Sequence, residues 1–245
     1  MSGHSKWNNI KRKKEKTDAQ KAKIFTKVGR EIAVAVKAGG ADPAVNGKLR
    51  DLIAKAKSLN VPNDNIQRII KKAEGAEKDD YESITYEGYG PSGIAMMVET
   101  LTDNRNRTAG NLRHYFDKFG GNLGNNGCVS FLFTEQGVIV LDVEDKDEET
   151  VMEDAFDAGA DDFDMADGVA EVTTSPEAFS DVRAALEDKG YEFISADVAM
   201  VPSTRTALTD PDDLKKMGLL LDHLEEDDDV QNIWHNLENE EDLDR

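Results

Sequence analysis

The amino-acid sequence predicts an α+β protein of three domains, an N-terminal three-helix bundle followed by two α+β domains. Three observations support this prediction. The chain has 245 residues, close to the size at which a single hydrophobic core stops growing. Its first third has apolar residues at helical spacing, and the remainder alternates between strand-like and helix-like segments. With 38% hydrophobic residues and 19 glycines the composition is globular, so wholesale disorder is excluded.

The first helix is predicted over residues 18–38, because Gly39-Gly40 ends the helical pattern. Apolar side chains recur every three or four positions along it, at Phe25, Val28, Ile32 and Val36. Four basic residues fall on the opposite face, at Lys23, Lys27, Arg30 and Lys37. We therefore expect one face of this helix to pack and the other to form a cationic stripe.

Two shorter helices complete the predicted bundle. The second is predicted to begin at Asp42-Pro43, since aspartate caps helices and proline is favoured in the first turn. The third follows Pro62 and ends at Gly75. Each has an apolar face flanked by bases, which are Arg50, Lys55 and Lys57 on the second helix and Arg68, Lys71 and Lys72 on the third.

The next segment is predicted to form a ββαβ unit. A hairpin spans residues 81–100, followed by a helix over 106–119, a glycine loop over 120–124 and a strand over 129–133. The hairpin turn matches the pattern G-x-G-x-x-G of dinucleotide-binding sites. Because a strand follows it where that motif requires a helix, we do not expect a nucleotide site here.

Residues 137–200 read as βαββαβ, the order of a ferredoxin-like domain. The remaining helix over 211–224 and strand over 230–234 are too short for a separate domain, and we expect them to complete the ββαβ unit. The predicted domains are therefore a basic arm with three helices, a discontinuous α+β domain and an inserted ferredoxin-like domain, at residues 1–78, 79–136 plus 201–245, and 137–200.

Charge is strongly segregated along the chain, whose net charge is −20. Residues 1–75 hold 18 bases and 7 acids, a net charge of +11, whereas the later residues hold 12 bases and 43 acids, a net charge of −31. Because salt screens charges beyond about 8 Å, distant acids do not cancel a local positive potential. This segregation indicates a cationic module that attracts a polyanion, carried on an anionic body.

The basic arm and the first helix supply the candidate nucleic-acid contacts. Residues 1–17 contain six bases against one acid, together with His4 and Trp7. Such an arm is typical of segments that bind a nucleic-acid backbone, with Trp7 available to stack on a base. The alternative is a solvated tail with Trp7 packed against the bundle. The candidates are His4, Lys6, Trp7, Lys11, Arg12, Lys13, Lys14, Lys16, Lys21, Lys23, Lys27, Arg30 and Lys37.

A second cluster of bases lies within the acidic body, at Arg105, Arg107 and Arg113. Guanidinium groups match phosphate oxygens, so these residues are secondary phosphate-contact candidates. Internal pairing with Asp103, Asp117 or Glu87, which holds the hairpin to the helix, is the alternative, and it is the favoured one.

Several classes of function are excluded. Common catalytic motifs are absent, the histidines lack metal-ligand spacing, and so we expect neither an enzyme nor a cofactor or metal. A single cysteine, Cys128, cannot form a disulfide framework or a zinc cluster. No uncharged apolar stretch approaches the roughly 20 residues that a membrane helix requires. A cytoplasmic location fits these features, and the oligomeric state is left open.

Several motifs together carry a resemblance to the YebC/PmpR family. They are Gly3-His4-Ser5-Lys6-Trp7, Lys23-Ile24-Phe25-Thr26-Lys27, Tyr86-Glu87-Gly88-Tyr89-Gly90-Pro91, Asp103-Asn104-Arg105-Asn106-Arg107-Thr108 and Gly120-Gly121-Asn122-Leu123-Gly124. The resemblance extends to the closing segment 230–236. It implies a three-domain, cytoplasmic regulator of gene expression without catalytic activity. Bacterial members of the family are described as DNA-binding transcriptional regulators, and mitochondrial relatives resemble translational activators.

The sequence therefore predicts a non-enzymatic nucleic-acid-binding regulator, with DNA as the target that the family description favours. A ribosome-associated translation factor that binds ribosomal RNA through the basic N-terminal domain is the alternative, because lysine attracts the phosphates of either polymer. A third interpretation is an interaction module that binds basic protein partners through the acidic domains.

Overall fold

A computed structural model describes residues 18–75 and 81–243, with side chains described from residue 23 onward. Within these residues the protein has seven α-helices and two four-stranded antiparallel sheets, which confirms the predicted α+β class. The helical region comes first and the two α+β units follow. The residues before Asp18, those between Gly75 and Tyr81, and the last two lie outside this description.

The N-terminal bundle consists of α1 (Asp18–Gly39), α2 (Gly47–Ser58) and α3 (Asn63–Gly75). Its core contains Val28, Ile32, Val36, Leu49, Leu52, Ala56, Ile66, Ile70 and Ala73. The prediction that α2 begins at Asp42-Pro43 is wrong, because these residues form a turn.

Asn46 is the residue that caps α2. Its side-chain oxygen accepts the N–H of Leu49 at 3.1 Å, and its amide group donates to the carbonyls of Ala35 and Gly40 at 2.9 and 2.8 Å. One buried side chain thus satisfies the start of α2 and holds the end of α1 against it. Asp42 supports only the preceding turn, where its carboxylate accepts the N–H of Ala44.

The first sheet has the strand order β3-β1-β2-β8. Its strands are β1 (Glu82–Tyr89), β2 (Ala95–Thr102), β3 (Asn122–Leu123) and β8 (Val230–His235). Helices α4 (Arg105–Lys118) and α7 (Pro211–Glu226) cover one face. Their core contains Ile94, Met96, Val98, Leu112, Phe116, Met217, Leu220, Leu221 and Leu224.

The strand predicted over residues 129–133 is wrong. Ser130–Leu132 form a 3₁₀ turn, and the next strand begins only at Phe133. The carboxylate of Glu87 accepts the N–H groups of Gly127, Val129 and Ser130 at 2.8 to 2.9 Å. Because these amides point at one buried carboxylate, they cannot also form a regular strand ladder.

The second sheet has the strand order β5-β6-β4-β7 and is antiparallel throughout. This arrangement is the ferredoxin-like one that the sequence predicts. Its elements are β4 (Phe133–Asp142), α5 (Glu148–Ala158), β5 (Asp162–Ala166), β6 (Val169–Thr174), α6 (Phe179–Asp188) and β7 (Glu192–Pro202). The core between the sheet and its helices contains Ile139, Leu141, Val151, Ala155, Val172, Val182 and Leu186. The exact domain boundaries given above stay predictions.

Candidate nucleic-acid interface

The predicted cationic stripe of α1 faces a run of five consecutive acids, residues 225–229, which we call the acidic turn. Lys27 donates from Nζ to the backbone carbonyl of Glu225 at 2.9 Å. Arg30 donates from Nη1 to the backbone carbonyl of Asp228 at 2.7 Å. The acidic turn, which joins α7 to β8, therefore occupies the middle of the stripe.

The two ends of the stripe differ in environment. Lys23 lies 3.9 Å from the carboxylate of Glu226, and their side chains are 44% and 73% exposed, respectively. Burial lowers the pKa of Lys27, although the neighbouring acids oppose this effect. Lys37, near the end of α1, is exposed. In this arrangement Lys37 is the member of the stripe that is most open to an external ligand.

Asp229 is the residue on which the contact between the bundle and the body converges. Its carboxylate accepts hydrogen bonds from Arg107 at 2.7 Å, Thr108 at 2.9 Å, and Arg30 and Thr102 at 3.2 Å. The side chain is only 6% exposed. Burial disfavours the charged form, yet the hydrogen bonds from Arg107 and Thr108 hold the pKa of Asp229 below its ordinary value. Asp229 thus links α1, β2 and α4 as a buried, ionised acceptor.

A second ionic contact joins the bundle to the ferredoxin-like unit. Lys55 of α2 lies 3.0 Å from Asp197 of β7 and 3.4 Å from Glu31 of α1. Burial opposes the charge of Lys55, but Asp197 and Glu31 raise its pKa above the ordinary value. Nearby, Asp51 of α2 accepts a hydrogen bond from Ser180 of α6. These contacts place one side of α2 against the body.

The bundle also has bases that take no part in these contacts. Seven of them are exposed and have no ion pair with another residue in the described ranges. We call this set the open basic surface, and it consists of Lys37, Lys48, Arg50, Lys57, Arg68, Lys71 and Lys72. It includes residues from all three helices.

The sequence of α3 explains why its bases stay exposed. Ile66, Ile70 and Ala73 are buried on one face. At 100° per residue, Arg68, Lys71 and Lys72 fall within a sector of about 100° on the opposite face. On α2 the same spacing places Arg50 and Lys57 together, on the side away from Lys55.

The described structure reaches only part of the predicted interface. His4, Lys6, Trp7, Lys11, Arg12, Lys13, Lys14 and Lys16 lie outside the described residues. Lys21 lies in α1, but its side chain is also outside the description. The candidate list also leaves out six members of the open basic surface. Five of them are the bases that flank the apolar faces of the second and third helices in the sequence, and their helical spacing is the signal that identifies them; the sixth, Lys48, carries no such signal.

The three arginines of the second cluster have different surroundings. Arg107 binds Asp103 at 2.8 Å as well as Asp229 at 2.7 Å, so its guanidinium is engaged internally. Arg105 lies 3.7 Å from Glu82 in an exposed pair. Arg113 is exposed and has no ion pair within the described part of the chain. Of the three, Arg113 is the most accessible to a phosphate.

We also searched the described residues for a metal site, a membrane-spanning helix and a reactive cysteine. In residues 18–75 and 81–243 no group of three or more histidine, cysteine, aspartate or glutamate side chains is placed to hold a metal ion. No helix in these ranges has the length and apolar character needed to cross a bilayer. Cys128 is half-buried, and burial raises the pKa of its thiol.

Comparison with known proteins finds matches to one protein family over most of the chain. A family model described as TACO1/YebC protein N-terminal domain matches residues 5–76, and a model described as TACO1/YebC second and third domain matches residues 81–237. Proteins of Acetivibrio thermocellus and Ruminiclostridium cellulolyticum, each named probable transcriptional regulatory protein, are both 60% identical to this chain. The matches cover 96% and 98% of this chain, respectively, and 98% of each relative.

A solved structure is also similar. The crystal structure of a conserved hypothetical protein from Aquifex aeolicus shares 42% sequence identity and superimposes with a TM-score of 0.81. The match covers 91% of this chain and 92% of that one. The arrangement of helices and sheets described above is therefore shared with an experimentally determined structure.

Proposed function

The chain belongs to the TACO1/YebC family, and we propose that it is a non-enzymatic, nucleic-acid-binding regulator of gene expression, acting on DNA as a transcriptional regulator of the YebC/PmpR type. The names of its relatives support a regulatory protein of the YebC type. The open basic surface is the structural observation that supports nucleic-acid binding in particular.

The open basic surface suits the backbone of a nucleic acid. Its seven bases are exposed, and no carboxylate pairs with them among the described residues. Lysines and arginines that neutralise phosphates release counterions, which is the main source of sequence-independent affinity. The basic segment at residues 1–17 adds six bases to the same domain.

The middle of the α1 stripe has a different role in this proposal. Because Lys27 and Arg30 bind the acidic turn, they hold the bundle on the body and leave phosphate binding to α2, α3 and the end of α1. The interface proposed here is therefore displaced from the stripe toward the open basic surface. Arg113 is retained as a separate candidate phosphate contact.

A ribosome-associated translation factor is the second candidate function. The exposed bases are distributed over three helices, and lysine is more frequent than arginine among them. Such a surface contacts phosphates without recognising base edges. Sequence-specific recognition of base edges usually requires a helix inserted in the major groove. A surface of this kind fits ribosomal RNA as well as duplex DNA.

The first test measures the affinity of the full-length chain for a labelled DNA duplex across a series of salt concentrations. If about six phosphates are contacted, the logarithm of the binding constant should fall against the logarithm of salt with a slope near −5. The variant Lys71→Glu should weaken binding, whereas Lys215→Glu, an equal charge change at an exposed site on α7, should not. An affinity independent of salt, or equal effects of both variants, would exclude the proposed surface.

A second test separates the two targets. Co-sedimentation with ribosomes that persists after DNase treatment and is lost in Lys71→Glu would favour the translation factor. Promoter-specific footprints of the full-length chain that are likewise lost in Lys71→Glu would favour the transcriptional regulator.

A further inference from the structure

A groove lies between the first sheet and the adjoining ends of β4 and β7. It has a volume of about 460 Å³. Its floor includes Met97, Glu99 and Trp234, on the sheet face that the helices leave uncovered, and Glu135 and Met200 form the opposite wall. We call it the acidic groove. It is distinct from the open basic surface, which lies on the helical bundle.

One side of the acidic groove is a strand edge. Strand β1 pairs with β2 along its whole length, but β3 pairs only with Gly88 and Tyr89. The segment Glu82–Tyr86 therefore has a strand on one side and none on the other, as far as the described residues extend. An uncovered edge of this kind is a template on which an additional strand can pair.

The direction of the backbone groups along this edge follows from one hydrogen bond. The carbonyl of Glu87 accepts the N–H of Gly124 at 2.8 Å, on the side of β1 away from β2. Backbone groups of alternate residues point to the same side of a strand. Ser83 and Thr85 therefore direct their N–H and carbonyl groups outward, where no residue of the described ranges binds them.

The residues that line the groove specify the chemistry of its occupant. Four glutamates and no bases line it, at Glu82, Glu87, Glu99 and Glu135. Glu87 is saturated by backbone amides, whereas Glu135 is exposed. An arginine suits these residues, since its stem packs on apolar side chains while its guanidinium binds carboxylates.

We propose that the acidic groove binds an extended, arginine-containing peptide segment of a partner protein, which pairs with the edge of β1 at Ser83 and Thr85. An arginine of the peptide that lies on the same face of the sheet as Thr85 then extends toward Glu99, the residue paired with Thr85 on β2, and toward the wall at Glu135. Strand addition of this type obtains affinity from backbone hydrogen bonds and specificity from alternate side chains. The proposal is independent of nucleic-acid binding, because it uses a different surface with the opposite charge.

The first experiment compares two labelled peptides bound to the full-length chain at physiological salt. One is a nonapeptide that alternates arginine and valine, and the other has proline in place of each valine. Both carry the same charge, but proline cannot pair as a strand. We expect the valine peptide to bind at least about tenfold more tightly. Equal affinities would mean that charge alone attracts the peptide, and the proposal would be overturned.

Two variants test the site itself. Thr85→Pro removes an outward N–H while keeping the pairing of Ile84 and Tyr86 with β2, and Glu135→Lys reverses one charge of the wall. Each should weaken binding of the valine peptide about tenfold. Glu177→Lys, an equal charge change at an exposed residue outside the groove, should leave the affinity unchanged. If Thr85→Pro does not fold, the comparison of Glu135→Lys with Glu177→Lys tests the site alone. Equal losses of peptide affinity in these two variants would overturn the proposal.

A second copy of the chain is the competing occupant. Sedimentation velocity of the full-length chain tests it, because an edge-to-edge dimer would dissociate in Thr85→Pro. Such a dimer would overturn the peptide proposal, and a monomer that retains peptide binding supports it. The nucleic-acid affinity of Glu135→Lys should be no weaker than that of the parent chain. The peptide measurements and the nucleic-acid measurements therefore test the groove and the proposed function separately.

Discussion

Arg30 of α1 and Asp229 of the acidic turn form an ion pair with an N–O distance of 3.2 Å, which joins the basic bundle to the acidic body. The two residues are 199 positions apart in the chain. Asp229 also binds Arg107, so one carboxylate is shared between a base of the bundle and a base of the body. The pair explains how a chain with segregated charges keeps its basic part attached without using the open basic surface.

Asp229→Ala is expected to reduce the free energy of unfolding by about 2 to 4 kcal/mol. The substitution removes a buried acceptor of four hydrogen bonds and leaves Arg30 facing the acidic turn without its carboxylate partner. Urea denaturation provides the measurement. Asp228→Ala is the matched control, because its exposed side chain is not an acceptor for Arg30. A comparable loss in both variants would contradict the role given to Asp229.

Glu87 should make stability depend on pH in the acidic range. Burial opposes its ionisation, but the N–H groups of Gly127, Val129 and Ser130 hold its pKa below the ordinary value. A carboxylate whose pKa is lower in the folded state stabilises the fold above its unfolded pKa of about 4.3, and this contribution is lost as pH falls through the folded pKa. The stability difference between the parent chain and Glu87→Gln should therefore be constant at neutral pH and shrink below about pH 4. A difference independent of pH down to pH 2 would refute this assignment.

Two glycines test how closely the glycine loop, residues 120–124, packs against the end of β1. A Cβ atom at Gly121 would lie 2.4 Å from the carbonyl oxygen of Tyr89, whereas a Cβ atom at Gly110 of α4 would meet nothing within 4 Å. Gly121→Ala should therefore lower the melting temperature. Gly110→Ala should raise stability by about 0.5 to 1 kcal/mol, because alanine is the better helix former. Thermal unfolding followed by circular dichroism checks both, and a neutral Gly121→Ala would show that β1 and the loop can separate.

Lys55 is expected to contribute more to stability than its neighbour Lys57. Lys55→Met leaves Glu31 and Asp197 facing each other in a half-buried contact without a cation. We expect a loss of about 2 to 4 kcal/mol in chemical denaturation. Lys57→Met changes the same charge at an exposed position of α2 and should alter stability by less than about 0.5 kcal/mol. Similar losses would indicate that the contact between α2 and β7 is not stabilising.

The sequence was sufficient to predict those elements whose residues repeat at a regular spacing. The apolar positions of α1 and α3 predict their buried faces, and the alternation of β4, β6 and β7 predicts a ferredoxin-like sheet. The sequence misplaces the start of α2 because two capping signals compete. Asp42 precedes a proline and looks like the stronger cap, but Asn46 also reaches two carbonyls of α1, a tertiary contact that local propensity does not include.

The candidate interface was less predictable because it depends on which elements meet. Helical spacing correctly places Lys27 and Arg30 opposite the apolar face of α1, but it does not reveal that residues 225–229 cover them. The outward bases of α3 follow from the same spacing, and they remain exposed because no other described element packs on that face. The difference between the two helices is therefore a property of tertiary packing.

The different surroundings of these two helices lead to a last prediction for nucleic-acid affinity. Lys27→Gln and Lys71→Gln remove the same charge from the bundle, but Lys27 is bound to the acidic turn and Lys71 is exposed. If the open basic surface contacts phosphates, Lys71→Gln should weaken binding severalfold and reduce the salt slope by about 0.9, the value for one phosphate contact on duplex DNA. Lys27→Gln should change affinity by less than twofold, as measured by fluorescence anisotropy with a labelled duplex. A larger effect of Lys27→Gln would mean that the acidic turn leaves α1 on binding and that the nucleic acid takes its place.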